Sequence, residues 1–326
     1  MPDRSALPAP AARAVAAALA LLLCALATAA CSSSGGATAA ERTVPADRRV
    51  KVTTTTNFIT DTVRRIGGDR VDVTGLMGPG VDPHLYKASA RDVEALREAD
   101  VIFYAGLHLE GKMADLFDQL AERQTTKAVT DGIPRDRLLE PPAGMAVEHD
   151  PHVWFDVTNW MYAARTIAAT LAAKDPAHAD GYRARLRAYL AELRETDRYV
   201  RARIAEIPPR RRVLVTSHDA FEYFGRRYGM QVEGIQGVST VAEATTADIQ
   251  RVARLIADRG VTAVFIESSV PRQTIDAVLA AARERGAEAR VGGELYTDAA
   301  GDEGTPEGTY VGMVRANADR IAAGLR

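Results

Sequence analysis

The sequence predicts an α/β protein of two similar lobes, each with a parallel-type sheet flanked by helices, joined by a single long rigid helix. From residue 50 onward, short runs of β-branched residues alternate with helical stretches, as in βα units around a parallel sheet. The alternation occurs twice, on either side of a stretch rich in Ala, Leu, Arg and Glu that holds neither Gly nor Pro over residues 182–207. The chain also exceeds the usual length of one domain, which favours two lobes.

The first lobe is predicted to span residues 48–174. Short β-branched or apolar runs predict its strands at 50–56, 71–76 and 101–104. Its helices are expected around 61–66, 89–99 and 111–123. The second of these begins with Ser-Ala-Arg-Asp, which resembles a capping box. A polar, Pro-containing stretch from about residue 130 to 150 closes this lobe.

The linking helix is predicted over residues 175–208 and the second lobe over 209–326. At 1.5 Å per residue the helix would be roughly 40 Å long, about the height of a domain. Such a stiff connector limits hinge motion, so we expect a small closure on ligand binding. In the second lobe, strands are expected at 213–216, 231–235 and 262–266, and helices at 246–259, 274–285 and 306–323.

The N-terminal segment, residues 1–30, is predicted to be a signal peptide. Arg4 and Arg13 precede an uncharged Ala/Leu run over 14–27 that is too short to span a membrane comfortably. Small residues then precede Cys31, which resembles the bacterial lipobox, although Thr28 stands where Leu is usual. A plain secretory signal is the alternative. Residues 31–47, rich in Ser, Gly, Ala and Thr, are predicted to form a flexible tether, and the protein to work outside the cytoplasm.

Composition excludes several classes of protein. The chain has two cysteines, of which Cys24 lies within the signal segment, so disulfides and thiolate metal sites are not expected in the mature protein. Its formal net charge is −2, and no basic surplus points to nucleic acid. An apolar content of 47% with 26% charged residues is typical of a globular body.

Three histidines lie in turn-forming contexts that suit a metal site. His84 and His152 each end an Asp-Pro-His tripeptide, and His218 follows Thr-Ser at the end of a predicted strand. Proline fixes its own φ and biases the preceding residue towards an extended conformation. Each tripeptide therefore presents an imidazole from a defined turn.

Seven segments, taken in order along the chain, resemble the metal-receptor family of ABC importers. That family contains Zn²⁺- and Mn²⁺-binding lipoproteins, among them streptococcal and treponemal surface receptors. The resemblance runs from about residue 50 to the end of the chain. The matching segments are residues 80–86, 103–110, 150–156, 215–228, 237–243, 264–269 and 293–298.

The resemblance implies that His84, His152, His218 and Asp298 bind one metal ion, with two ligands from each lobe. The third position is Glu in a manganese-specific branch and His elsewhere. Three imidazoles and a carboxylate also suit a borderline divalent ion better than Ca²⁺ or Mg²⁺. The implied protein is a monomeric extracytoplasmic lipoprotein, anchored through Cys31, that passes Zn²⁺ or Mn²⁺ to an ABC transporter permease.

The choice between zinc and manganese stays open at this point. Ligand type favours zinc. Many zinc receptors of the family, however, carry a His-rich acidic loop where residues 124–150 of this chain hold only His149. The segments around His108 and His218 are also more similar to the manganese and mixed-metal branch.

The remaining histidines receive other interpretations. His108 is interpreted as lining or packing in the cleft, and His178 as a surface residue in the first turn of a helix. His149 could be an accessory ligand facing solvent.

Glu267, after a predicted strand, is expected to orient a ligating imidazole or, alternatively, to cap the next helix. Trp154, Phe155 and Phe221 are expected in the core or the cleft wall.

Two other functions remain as alternatives. Sites of two or three histidines and a carboxylate also occur in zinc metallohydrolases, but no His-Glu-x-x-His sequence or nucleophile elbow is present. We therefore do not expect an enzyme. An adhesin with a structural metal, or an additional role in cell adhesion, is the second alternative.

Overall fold

The computed structural model describes residues 43–141 and 147–326. The predicted signal peptide, Cys31 and most of the predicted tether lie outside the described residues. Val44, near the end of that tether, is buried, and its N–H donates to the carbonyl oxygen of Lys174 at 2.8 Å. The packed part of the chain therefore begins before residue 48.

The N-terminal half contains a four-stranded parallel sheet in the order β2-β1-β3-β4. Its strands are β1 Val50–Thr54, β2 Val71–Gly75, β3 Val101–Tyr104 and β4 Thr125–Ala128. Its helices are α1 Asn57–Gly67, α2 Ala90–Glu98, α3 Ala114–Ala121 and α4 Val157–Lys174. In the register of the sheet, Val52 of β1 lies opposite Val73 of β2 on one side and opposite Val101 of β3 on the other.

The C-terminal half is built from two parallel strand pairs that lie side by side. Strand β5 pairs with β6 and β7 pairs with β8, and β5 lies beside β7. These strands are β5 Val213–His218, β6 Gln231–Gln236, β7 Ala263–Glu267 and β8 Arg290–Leu295. The helices of this half are α6 Glu222–Tyr228, α7 Thr246–Arg259, α8 Gln273–Arg283 and α9 Tyr310–Leu325. The predicted α/β architecture with parallel sheets flanked by helices is confirmed.

The two halves are connected by α5, a helix of 27 residues over Ala179–Ala205. It follows a short 3-10 turn, Pro176–His178, and is about 40 Å long at 1.5 Å per residue. One face of α5 packs against α1 and α4 and also against α9, so it contacts helices from both halves. The prediction of a long connecting helix is confirmed. No helix within the described residues is both long and apolar enough to cross a bilayer.

Some elements differ from the sequence-based expectation. Helices α4 and α6 and strands β4 and β8 were not predicted. The predicted helix over 111–123 is divided into a 3-10 turn, Gly111–Met113, followed by α3. The last helix likewise begins later than expected, after a separate 3-10 turn at Pro306–Gly308.

An aromatic cluster joins the two halves beneath their facing strand ends. Phe58 of α1 packs against Trp154 and Trp160, with ring centroids 4.8 and 5.5 Å apart, and Trp160 stacks on Tyr310 of α9 at 4.9 Å. The Tyr310 hydroxyl donates to the carbonyl oxygen of Trp154 at 2.7 Å, and the Trp154 indole donates to the carbonyl oxygen of Thr297 at 3.1 Å. All five residues are buried, so this contact packs the two halves against each other.

Candidate metal centre

Four side chains from distant parts of the chain converge on one buried point. They are His84, His152, His218 and Asp298, and one donor atom of each lies within 4.8 Å of the others. None of the four residues is more than 3% exposed. The structure therefore brings together the full set of residues that the sequence analysis selected as ligands.

Each of the four residues is carried by a backbone segment at the facing ends of the sheets. His84 lies in the loop between β2 and α2, and His218 is the last residue of β5. His152 directly precedes a 3-10 turn, Val153–Phe155, and Asp298 follows β8 by three residues. Ligand sites in open parallel sheets form outside the carboxyl ends of the strands, and this site follows that rule.

The donor atoms have a spacing that suits a small cation. The Nε2 atom of His152 lies 3.4 Å from that of His84 and 3.3 Å from that of His218. The two carboxylate oxygens of Asp298 lie 3.5 Å from Nε2 of His152 and 3.5 Å from Nε2 of His218. A tetrahedron with metal–ligand bonds of 2.0–2.1 Å has edges of about 3.3–3.4 Å. These four separations, two of which involve different oxygens of Asp298, are close to that value.

Two of the imidazoles are oriented by buried carboxylates. Nδ1 of His152 lies 2.8 Å from Oδ1 of Asp150, and Nδ1 of His218 lies 2.5 Å from Oε2 of Glu267. The backbone N–H groups of both histidines also donate to these carboxylates, at 2.9 and 3.0 Å. A neutral imidazole that donates from Nδ1 has its lone pair on Nε2, which faces the centre here.

His84 is held in a different way. Its backbone N–H donates to Oδ1 of Asp82 at 2.8 Å, and Oδ2 of the same carboxylate accepts from the Thr240 hydroxyl at 2.6 Å. Thr240 lies in the loop between β6 and α7, in the other half of the chain. The loop that carries His84 is therefore fastened to the C-terminal half.

Asp298 provides a test of whether a cation fits. Both of its carboxylate oxygens are buried, and neither has a hydrogen-bond partner among the residues that the structure describes. A buried carboxylate with no donor is costly unless a charge compensates it. A divalent cation between Asp298 and the three Nε2 atoms would supply that charge.

The protonation preferences of the four groups are set by burial and by one another. Burial lowers the pKa of His84 to about 3, against the opposing effect of Asp298. For His152, burial is outweighed by Asp150 and Asp298, which raise its pKa to about 9. Glu267 and Asp298 likewise outweigh burial and raise the pKa of His218. The pKa of Asp298 is lowered because the histidines outweigh its burial. Binding of a metal ion through Nε2 of His152 and His218 would therefore compete with protonation of these two rings.

The other histidines lie outside this centre. His108 is exposed, and both it and His149 line a separate cavity of about 290 Å³ that also holds Glu148 and Asp131. The ring of His178 lies 2.8 Å from the carboxylate of Asp175, in the 3-10 turn before α5.

The three aromatic residues assigned to the core or cleft wall are buried, which confirms that expectation. Trp154, Phe155 and Phe221 are each at most 1% exposed. Trp154 also contacts the centre directly, because its ring centroid lies 5.1 Å from that of His152 in an edge-on arrangement.

Sequence analysis missed the roles of Asp82, Asp150 and Thr240. A signal for the two aspartates was present in the repeated Asp-Pro-His tripeptide, since in both copies the Asp side chain accepts the N–H of the His two residues later. Thr240 has no such signal, because its contact with Asp82 joins positions 158 residues apart.

Two α/β halves that enclose a buried three-histidine, one-carboxylate centre define a class of binding protein that holds a small cation between its halves. The sequence profile of the ZnuA family, described as zinc-uptake complex component A, periplasmic, matches residues 52–324. The chain belongs to this family.

Individual relatives are similar over most of their length. The manganese-binding lipoprotein MntA of Bacillus subtilis (strain 168) is 47% identical over 281 residues, which cover 86% of this chain and 91% of MntA. The zinc-binding protein TroA of Treponema pallidum (strain Nichols) is 47% identical over 280 residues, 86% of this chain and 90% of TroA. The solved structure of the periplasmic zinc-binding protein TroA from Treponema pallidum superposes with a TM-score of 0.83 and covers 85% of this chain and 99% of that one.

Proposed function

We propose that this protein captures one divalent transition-metal ion, Zn²⁺ or Mn²⁺, between His84, His152, His218 and Asp298. The observation that carries the proposal is the buried cluster of donor atoms from four residues, in which both oxygens of Asp298 lack a hydrogen-bond partner among the described residues. Three imidazole nitrogens and one carboxylate suit a borderline divalent ion. The ion is the cargo of the protein.

The relatives support metal capture without selecting the metal. The Bacillus subtilis relative is named as manganese-binding and the Treponema pallidum relative as zinc-binding, and each is 47% identical to this chain. The donor separations of 3.3–3.5 Å between neighbouring side chains are compatible with four-coordinate Zn²⁺. Bidentate binding by Asp298 would add a fifth bond, which suits Mn²⁺.

We further propose that the protein delivers its ion to the permease of an ABC importer from outside the cytoplasmic membrane, as a monomer. Residues 1–30 would be removed as a signal peptide and Cys31 lipidated, with the tether ending near residue 47. The name of the Bacillus subtilis relative, a lipoprotein, supports this location. In this arrangement lobes 48–174 and 209–326 are connected by the rigid helix of 175–208 and move little relative to each other.

A catalytic role is not part of the proposal. The ligand residues are at most 3% exposed, so a peptide or phosphoester would not reach the ion in this conformation. Hydrolysis assays of the metal-loaded protein with ester, peptide and phosphate substrates test this directly. Turnover that is lost in His218→Ala would overturn the binding role.

The central experiment is elemental analysis of protein purified without added metal, followed by competitive titration of the apo protein with Zn²⁺ and Mn²⁺. We expect one ion per chain, and loss of binding in His218→Ala. His108→Asn is the matched control, because it removes an exposed imidazole outside the centre and Asn tolerates the left-handed backbone there (φ 63°). Equal metal binding by wild type and His218→Ala would refute the proposal.

A further inference from the structure

The three histidine ligands differ in what holds them. Rings of His152 and His218 each contact a buried carboxylate through Nδ1. The ring of His84, by contrast, has one hydrogen-bond-distance contact within the described residues, and that contact is to His152, another ligand. The position of His84 therefore depends on its backbone and on the loop that carries it.

Within the described residues, one side-chain hydrogen bond joins that loop to the opposite half of the protein. One oxygen of Asp82 accepts the backbone N–H of His84 at 2.8 Å, and the other accepts the Thr240 hydroxyl at 2.6 Å. Thr240 is 8% exposed. A hydroxyl-to-carboxylate bond of this length is charge-assisted and short, and a largely buried position protects it from competition by water.

We propose that Thr240 is a positioning residue for metal release, which acts through Asp82 to keep His84 within bonding distance of the ion. While the Thr240–Asp82 bond is made, the C-terminal half fixes the loop of His84. When the bond breaks, His84 is the ligand that can leave first, because no side chain outside the centre holds its ring among the described residues. The bond thus couples contact between the halves to the number of protein ligands on the ion. This inference rests on the proposed function.

Hydrogen-bond chemistry gives the expected size of the effect. Hydrogen bonds to charged groups contribute enough to change an equilibrium by about tenfold to a hundredfold. Since metal retention also depends on three other ligands, we expect removal of the Thr240 hydroxyl to raise the dissociation rate of the ion about tenfold. The association rate should change less, because the two imidazoles that buried carboxylates orient keep their positions in the variant.

The experiment measures transfer of Zn²⁺ from the loaded full-length protein to a chromogenic chelator by stopped flow. Thr240→Val removes the hydroxyl with little change of shape, and Thr240→Ser restores a donor. Thr170→Val is the matched control, because it removes a threonine hydroxyl that bonds within α4, at 2.8 Å from the carbonyl oxygen of Thr166. We expect faster release from Thr240→Val, and rates near wild type for Thr240→Ser and Thr170→Val.

Several other outcomes would contradict either the role of Thr240 or the proposed function. Release from Thr240→Val at the wild-type rate, or failure of Thr240→Ser to restore slow release, would overturn the positioning role. Thermal melting of each apo variant detects general destabilisation. If Thr170→Val releases zinc as fast as Thr240→Val does, the positioning role of Thr240 is also overturned. If the wild-type protein binds no metal ion, the proposed function fails instead, and zinc titration of the same sample distinguishes the two failures.

Discussion

His218 and His84 reach the same point from two different kinds of backbone. His218 ends strand β5, and its ring and its backbone N–H both contact Glu267 at the end of the neighbouring strand β7. His84 lies in a loop and is held through the Asp82 carboxylate, which in turn depends on Thr240. A binding protein must retain its ion and later release it. Under the proposed function, His218 would serve retention of the ion and His84 its exchange.

The largest expected difference is in the free energy of unfolding of the apo protein after removal of the His218 or the His84 imidazole. His218→Ala leaves Glu267, which is 4% exposed, without the ring that contacts it, and such an unpaired buried charge costs about 3 kcal/mol. His84→Ala removes a ring that makes no hydrogen bond to a buried carboxylate among the described residues, so the free energy of unfolding should change by less. Urea denaturation of both metal-free variants measures the difference. Equal destabilisation of the two variants would show that His218 and His84 do not differ in how firmly the apo protein holds them.

Neutralising the orienting carboxylates should weaken metal binding by an intermediate amount. Glu267→Gln and Asp150→Asn each keep the shape of the side chain but lose its charge, and substitution of such partners lowers metal affinity about 10–100-fold. Competitive titration with Zn²⁺ measures the loss. As the control, Glu122→Gln removes a charge from an exposed glutamate after α3 and should bind like wild type. Wild-type affinity in both test variants would mean that the carboxylates do not support the ligands.

As the pH rises, the stability of the apo protein should decrease while the stabilisation that the metal adds should increase. The pKa of His152 is raised to about 9 in the folded state, so its contribution to apo stability is full below about 6.5, the value for a free imidazole, and is lost as the pH rises through 9. Over the same interval the ion competes with fewer protons, so its stabilisation of the protein increases.

Thermal melting of apo and zinc-loaded protein between about pH 6.5 and 9 tests this expectation. The increase in melting temperature on loading should become larger towards higher pH. An increase that stays constant over this range would contradict the raised pKa of His152.

The smallest effects are expected at two helix caps that stand in equivalent places in the two halves. Ser89 with Asp92 caps α2, and Thr245 with Asp248 caps α7, each as a complete capping box. Ser89→Ala and Thr245→Ala should each cost about 1 kcal/mol of stability. Zinc affinity should be unchanged in both, as titration would reveal. A large loss of affinity in either would extend the metal-binding machinery to that cap.

The elements that sequence predicted well are those with a clear local pattern. Strands β1, β3 and β5 are β-branched or apolar runs, and α7 has both a capping box and a glycine after its last turn. Strand β4 has one buried residue in the sequence Thr-Thr-Lys-Ala, so no alternation marks it. Helix α4 is buried on most sides, which removes the polar face that reveals an amphipathic helix.

Strand β8 contains two glycines, which weaken a strand prediction, and the reason for Gly292 is tertiary. A Cβ atom on Gly292 would lie 2.9 Å from Cβ of Ala263 and 3.0 Å from the ring of Phe265, both on the neighbouring strand β7. Glycine weakens a strand prediction, yet close approach to the partner strand requires it here. Only the packed structure contains that information.

The candidate site likewise has residues that the sequence predicted and contacts that it could not predict. Resemblance to the family selected His84, His152, His218 and Asp298, and the structure brings them together, although their role as metal ligands stays a prediction. Contacts such as Thr240 with Asp82 depend on how the halves meet, and no local pattern in the sequence encodes them.

The edge-on packing of Trp154 against His152 gives the protein an intrinsic fluorescent probe of its own occupancy. The chain has two tryptophans, and Trp160 lies within the aromatic cluster, packed between Phe58 and Tyr310. Exchange of a proton for an ion on the imidazole alters the charge beside the Trp154 indole, and emission from that indole should change while Trp160 contributes a steady background. Loading and unloading can thus be followed in real time without attaching a dye.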